Sequence, residues 1–403
     1  MRDGESRMLG VLLDLGRLAA LEQLPDMMAE HAAAVGLDRL GIYVSDLRGE
    51  VLRELTGRGL DAGEGGERFR VDGTLPGRAF RDVRTLTGAP VGDTGAVVHW
   101  APILDGTERL GVLRAGLRPG DTDAERALRD LAALTGLLLV SKRGVSDSYA
   151  RLVRTRPMTV AAEMQWQLMP QTSFATRDVV VGAAMEPAYE FGGDAFDYAV
   201  AGDVLHLAVF DAMGHDTTAG LAANLAVAAC RSHRRAGADL VTISREIERV
   251  LLDQFDATSY VTGIIADLDT TTGLLTWINH GHHPPVVVRG GRWISELLCP
   301  AAHPLGTDLG LPATLCREHL EPGDRLLLYT DGVTEARDAS GREFGLGRFV
   351  DFVVRHHADG LVVSETLRRL MRALLDHHHG RLQDDATVVF VEWPGGHDRN
   401  TRI

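Results

Sequence analysis

Cysteine is scarce in this chain, and the residues that usually mark soft-metal or disulfide-stapled proteins are missing with it. The 403 residues include three cysteines, Cys230, Cys299 and Cys316. They lie far apart and without a metal-ligand spacing, so they imply neither a disulfide framework nor a zinc knuckle, and they read as core thiols. Positive charge is also in deficit: 42 Lys and Arg against 56 Asp and Glu leave a formal net charge of -14. A sequence-independent nucleic-acid binder needs clustered cations to displace counterions, so no nucleic-acid partner is expected. No basic stretch followed by an apolar run opens the chain. The longest apolar run, around Leu131 to Val140, is too short and mixed to span a bilayer, so no membrane partner and a cytoplasmic location are expected. A Walker A loop, a His-Glu-x-x-His motif and a dinucleotide glycine fingerprint are all absent.

What the chain does have is aspartate at the ends of hydrophobic runs. Four segments share this pattern: Gly192-Gly193-Asp194, Val209-Phe210-Asp211-Ala212-Met213-Gly214, Leu328-Tyr329-Thr330-Asp331-Gly332 and Asp384-Asp385-Ala386-Thr387. Carboxylates brought together repel one another, and a fold tolerates the arrangement when hard cations such as Mg²⁺ or Mn²⁺ neutralise it. Glycines beside three of these aspartates fit sharp turns and close backbone approach. Each Asp-Gly pair taken alone is ordinary turn chemistry; the four together are not.

The order and local sequence of these segments resemble the SpoIIE-type branch of the metal-dependent serine/threonine protein phosphatases, the PPM class. The resemblance runs over about residues 160 to 392. Its words are Phe191-Gly-Gly-Asp194-Ala-Phe-Asp197, Asp211-Ala-Met-Gly-His215, Asn279-His-Gly-His282-His-Pro-Pro285, Tyr329-Thr-Asp-Gly-Val-Thr-Glu335 and Asp384-Asp-Ala-Thr387. It implies an α/β/β/α sandwich and two Mn²⁺ or Mg²⁺ ions that make water nucleophilic and neutralise a phosphoryl group. It also implies that Asp194 and Asp211 are central metal ligands, that the carbonyl of Ala212 is a backbone ligand, and that Asp331 and Asp384 complete one ion's shell. Asp385 rivals Asp384, and the motif's phase favours Asp384. Asp197 and Glu335 would stand behind the ligands or at the surface. The leaving-group acid is unassigned: Met213 stands where other PPM branches carry a histidine nearby, and His215 is a candidate against a purely structural reading. Asp216 stands where many relatives have Gly, and can cap the following helix.

Along the chain, helical spacing over residues 6 to 35 is followed by strands at 40–44 and 51–56. A hairpin then runs from Val97 to Leu117 around Asp105-Gly106, and a helix follows from Asp121. With Leu75-Pro-Gly-Arg-Ala-Phe80 as a short helix, this order resembles a GAF domain. That resemblance implies either a sensor of a small molecule or protein, or a dimerisation and packing module. The overall expectation is an α+β chain: a GAF-like domain over 1–140, a helical linker over 141–172, the phosphatase sandwich over 173–393 and a flexible tail over 394–403. A homodimer is compatible with it.

His280, His282 and His283 suggest zinc by their clustering, but they precede Pro284-Pro285 in a strand-end turn, where a structural loop is the competing reading. His377-His378-His379 reads as solvated surface. The leading function is hydrolysis of phosphoserine or phosphothreonine on a protein, and the resemblance implies an anti-anti-sigma (STAS-type) substrate. A signal-binding scaffold with little turnover and a metallohydrolase of small phosphate esters are the alternatives.

Overall fold

The computed structural model describes residues 2–91, 96–190, 192–214, 216–378, 382 and 384–395. Phe191, His215, His379 and residues 396–403 of the expected tail lie outside the described residues. The chain divides into two compact units, Met1–Pro157 and Met158–Ile403.

The first unit is one antiparallel sheet with helices on both faces. Its elements are α1 (Arg2–Gly16), α2 (Leu24–Ala32), β1 (Asp38–Ser45), β2 (Val51–Leu55), β3 (Arg68–Arg70), α3 (Leu75–Asp82), β4 (Leu86–Val91), β5 (Ala96–Asp105), β6 (Glu108–Leu117), α4 (Thr122–Arg143) and α5 (Asp147–Val153). The strand order is β3-β2-β1-β6-β5-β4. The expected hairpin is present: Asp105 pairs with Glu108, and Gly106 takes the positive φ that a two-residue turn needs. Alternation along β1 sorts the two faces. Ile42 and Val44 point into a core with Leu12, Leu24, Met28, Leu128 and Leu131 from α1, α2 and α4, whereas Tyr43 packs with Phe80 of α3 and Trp100 on the other side.

The second unit begins with α6 (Val160–Leu168), which Thr159 caps by accepting the Ala162 N–H. Then come β7 (Ser173–Ala175), β8 (Val180–Glu186), β9 (Asp194–Ala201), β10 (Val204–Ala212), α7 (Thr217–Arg235), α8 (Leu240–Phe255), β11 (Val261–Asp269) and β12 (Leu274–His280). After these follow β13 (Val286–Arg289), β14 (Trp293–Glu296), β15 (Cys316–His319), β16 (Asp324–Tyr329), α9 (Asp331–Thr334), α10 (Leu346–Ala358), α11 (Val363–His377) and β17 (Ala386–Trp393). They build two sheets, β15-β12-β11-β10-β9 and β14-β13-β16-β17-β8-β7. One core joins α7 and α8 to the first sheet and to Val181, Leu326, Leu328, Val389 and Val391 of the second. Another places Val286, Val288, Leu327, Val388 and Phe390 of the second sheet against α10 and α11. Along β16 and β17, therefore, successive residues face opposite layers, and the unit is an α/β/β/α sandwich.

Two cysteine expectations are corrected. Cys299 and Cys316 are not separate thiols; they form a disulfide across 17 residues of sequence. Cys230 is the buried thiol, and burial pushes it up to about 12. Spacing could not reveal the pair, because Cys299 follows β14 of one sheet and Cys316 opens β15 of the other.

Candidate metal centre

β9 and β10 pair antiparallel in a register that sets Asp194 directly opposite Asp211. Side chains opposite one another on one face stand about 4.5–5.5 Å apart at Cβ, so two carboxylates meet at the start of one strand and the end of the next. β16 ends at Tyr329 and α9 begins at Asp331, while Asp384 and Asp385 precede β17. Because β16 and β17 are neighbours, these groups enter from the same end of the second sheet.

Close backbone approach explains the glycines. A Cβ on Gly193 would lie 2.4 Å from the Ala212 carbonyl oxygen, and one on Gly332 would lie 1.9 Å from that of Asp385. Neither position tolerates a side chain without moving a strand that carries an aspartate. Asp216 caps α7, its Oδ1 accepting from Thr218 N at 2.9 Å and Ala219 N at 3.0 Å.

The electrostatics follow from burial. Asp194 is 2% exposed, and its carboxyl is held well above the usual range by desolvation first, then by Asp211 and Asp385. Asp211 is pushed up to about 7 by burial and then by Asp331, Asp384 and Asp385. Asp385 is raised to about 6, mainly by burial. Burial likewise raises Asp331, and Glu335 adds to it. The neighbouring charges that act on Asp194 and Asp211 are all carboxylates. All-oxygen donors, partly dehydrated and mutually repelling, are a donor set suited to Mg²⁺ or Mn²⁺.

The two adjacent aspartates divide. Asp385 is buried, and its Oδ2 accepts from the Gly192 N–H at 2.8 Å and the Asp194 N–H at 3.3 Å. Asp384 is exposed, accepts the Asp385 N–H at 2.9 Å, and acts on Asp211 ahead of Asp385. Asp385 thus braces the Asp194 turn, while Asp384 faces the open side of the cluster.

Three supports were not assigned from the sequence. Thr330 Oγ1 donates to Asp194 Oδ2 at 2.6 Å and accepts the Thr387 N–H at 2.9 Å, locking one carboxylate oxygen. Gln165 of α6, wholly buried, donates from Nε2 to the carbonyls of Gly192 at 3.1 Å and Asp194 at 2.9 Å. Thr262 Oγ1 lies 2.9 Å from His282 Nδ1. Thr330 sits inside the Tyr-Thr-Asp-Gly segment and had a local signal; Gln165 had none.

Asp197, 1% exposed, is gripped by Arg231 at 2.9 and 2.7 Å and by Arg234 at 2.7 Å, so it ties β9 to α7. His282 has its other ring nitrogen 3.0 Å from the Tyr329 carbonyl, and burial pushes it down to about 4. His280 likewise uses both nitrogens, toward Ser244 Oγ at 2.9 Å and the His303 carbonyl at 3.0 Å. With four ring nitrogens engaged, a zinc site shared by His280, His282 and His283 is lost to the structural reading. His377 and His378 are half-buried, not simply solvated: they reach the Arg342 and Arg337 carbonyls at 3.1 and 2.5 Å.

The chain is similar in sequence to known proteins. The family model for Stage II sporulation protein E (SpoIIE) matches residues 201–394. Phosphoserine phosphatase RsbU of Bacillus subtilis is 23% identical over 239 residues, 58% of this chain and 68% of that protein. Protein IcfG of a Synechocystis strain is 28% identical over 137 residues, 34% of this chain but only 21% of its own length. A crystal structure of the RsbU and RsbW domains of Rv1364c from Mycobacterium tuberculosis aligns at a TM-score of 0.48 with 24% identity, covering 56% of this chain and 63% of that one. The chain therefore spans about a fifth of one curated relative and under two thirds of that solved chain. With its ordered aspartates and its matched sequence taken together, the C-terminal unit carries a SpoIIE-type phosphatase domain of the PPM class.

Proposed function

We propose that this chain hydrolyses phosphoserine or phosphothreonine on a protein, using two Mn²⁺ or Mg²⁺ ions held by Asp194, Asp211, Asp331, Asp384 and the Ala212 carbonyl. The observation that carries the reading is the pairing of Asp194 and Asp211 in register, with Asp331, Asp384 and Asp385 as the charges that act on Asp211. When bound there, divalent ions supply Lewis acidity: they make water acidic enough to attack at neutral pH and offset phosphoryl charge. The chain's own part is positional. Thr330 fixes one oxygen of Asp194, Asp385 and Gln165 hold the backbone on either side of it, and His282 braces the Tyr329 carbonyl just before Asp331. His282, kept neutral by burial, is no proton donor near neutrality.

The substrate is inferred to be a phosphorylated bacterial signalling protein of the anti-anti-sigma, STAS-like kind, in line with the relative named a phosphoserine phosphatase. We infer a regulatory role for the N-terminal, GAF-like unit, either as a sensor or as a dimerisation and packing module, in a chain that acts in the cytoplasm. Turnover of a phosphoserine STAS protein, a nucleotide and p-nitrophenyl phosphate is to be compared with and without Mn²⁺. Selective, Mn²⁺-dependent release from the protein supports the proposal. Faster release from the small esters favours a general metallohydrolase, and partner binding without turnover favours a scaffold. Comparing the full chain with residues 158–403 reads the regulatory assignment.

A further inference from the structure

The bridge between Cys299 and Cys316 joins the edges of two sheets. Cys299 follows β14, the edge strand of the second sheet, and Cys316 opens β15, the edge strand of the first, so the bridge closes the loop that runs between them. Both cysteines are half-buried and within reach of a dissolved thiol, whereas Cys230 is buried.

The loop rests on the strand ends that carry the aspartates. Leu305, 1% exposed, exchanges two backbone hydrogen bonds with Val261, each 2.8 Å long. Val261 stands in register opposite Ala212, next to Asp211 on β10. Ala302 N–H donates to the Asn279 carbonyl at 2.8 Å. The Asn279 side chain in turn accepts the His282 N–H at 2.8 Å and donates to the His282 carbonyl at 2.9 Å, and the His282 ring reaches the Tyr329 carbonyl just before Asp331. A third anchor lies on α8, where Glu248 accepts the N–H groups of Gly306 and Asp308, the latter at 2.8 Å, and stands 3.3 Å from His303 Nε2.

Beyond those anchors residues 308–312 are exposed, and β15 is four residues long and paired only with β12. With the bridge open, this far side of the loop is held by little more than edge hydrogen bonds, and such segments open locally at far lower cost than the whole fold. Closing the bridge removes that freedom, because a cross-link restricts chiefly the open states of the chain it encloses. Thiols are kept reduced in the cytoplasm, the location proposed above, and a disulfide that forms there is characteristically transient and redox-sensing.

We propose that Cys299 and Cys316 form a thiol–disulfide switch that sets how tightly the aspartate centre holds its ions. The step is an exchange with a dithiol reductant. One thiolate of the reductant attacks a bridge sulfur, the S–S bond breaks, and the released cysteine thiolate takes a proton; the second thiol of the reductant then frees the other cysteine. Two electrons pass, the reductant leaves as a disulfide, and the protein carries two new thiols. The proposal rests on the reading above only in that the ions are those of the aspartate centre.

The test uses the full chain, either oxidised by glutathione disulfide or reduced by dithiothreitol that is then removed. Alkylation and mass measurement should count one free thiol in the first form and all three in the second. Electron paramagnetic resonance of free Mn²⁺ is expected to show roughly threefold or weaker binding in the reduced chain, with hydrogen exchange at Val261, Ala302 and Leu305 faster by roughly tenfold or more. Glutathione disulfide should restore both. The Cys299→Ser/Cys316→Ser double variant should behave as the reduced wild type under both conditions, with circular dichroism checking that it folds, and Cys230→Ala should keep the full response. Equal Mn²⁺ affinity in the oxidised and reduced chains overturns the switch, and so does a response that survives in the double variant. If affinity and exchange respond while neither form releases phosphate, the hydrolase reading falls and the switch stands.

Discussion

Asp211 shows what one side chain contributes. Its carboxyl, raised to about 7 by burial and by Asp331, Asp384 and Asp385, binds a proton in the metal-free fold far more readily than in an unfolded chain, where aspartate titrates near 4. Asp194 and Asp385 shift in the same direction. The folded state therefore holds more protons than the unfolded state between about pH 4 and 7, and stability must fall as pH rises through that window. The metal-free chain is expected to show a Tm that drops from pH 5 to pH 8, and saturating Mn²⁺ is expected to flatten the slope. A Tm that rises with pH in the metal-free protein would contradict the shared-burial account. Asp211→Asn removes one charge from the cluster at nearly constant volume. It should abolish Mn²⁺-dependent hydrolysis and at the same time raise the metal-free Tm at pH 8, as measured by paired turnover and calorimetry. Asp197 makes the opposite case. Two arginines compensate its charge, so removing Arg231 or Arg234 should destabilise the unit whether or not metal is present.

Helix α6 is the element whose role depends most on a single contact. Gln165 reaches from it to the carbonyls on either side of Gly193, and its own Oε1 is buried without a partner. Gln165→Ala would orphan two buried carbonyls at about 1–3 kcal/mol each, some of it recovered by losing the unsatisfied oxygen. The expected outcome is a lower urea midpoint together with weaker Mn²⁺ binding, because the freed backbone is that of Asp194. Unchanged Mn²⁺ affinity beside a lowered midpoint would reduce Gln165 to packing alone.

Legibility also divides at the scale of elements. The strands β1 and β2, the hairpin β5–β6 and the helix α4 stand close to where the sequence puts them, and the long helices α7 and α8 carry equally clear signals. Their apolar faces are wide and their caps, Asp216 and Asp239, are plain. The edge strands β3, β14 and β15 were not legible: Arg68–Arg70 and Trp293–Glu296 are half or fully exposed, so no alternation marks them. The four aspartate segments were visible because their glycines and strand ends leave a local trace. Gln165 and the Cys299–Cys316 pair were not, because each depends on which distant strands become neighbours.

At the scale of the molecule, each unit closes its own core. The clusters built on Leu12, Leu24 and Leu128 and on Tyr43 and Trp100 stay within the first unit, and those built on Phe210 and Phe390 stay within the second. Residues 158–403 alone are therefore expected to unfold in one cooperative transition and to bind Mn²⁺ without the first unit. Loss of cooperativity in that fragment, followed by far-UV circular dichroism in urea, would show that the first unit completes its fold.

The bridge between Cys299 and Cys316 also encloses a stretch in which Leu309 and Leu311 stand 63% and 53% exposed. A protease that cuts there severs the main chain but not the molecule. Both fragments stay covalently joined, and the two sheets keep their partners. The nicked protein should run as a single band without reductant and as two bands with it.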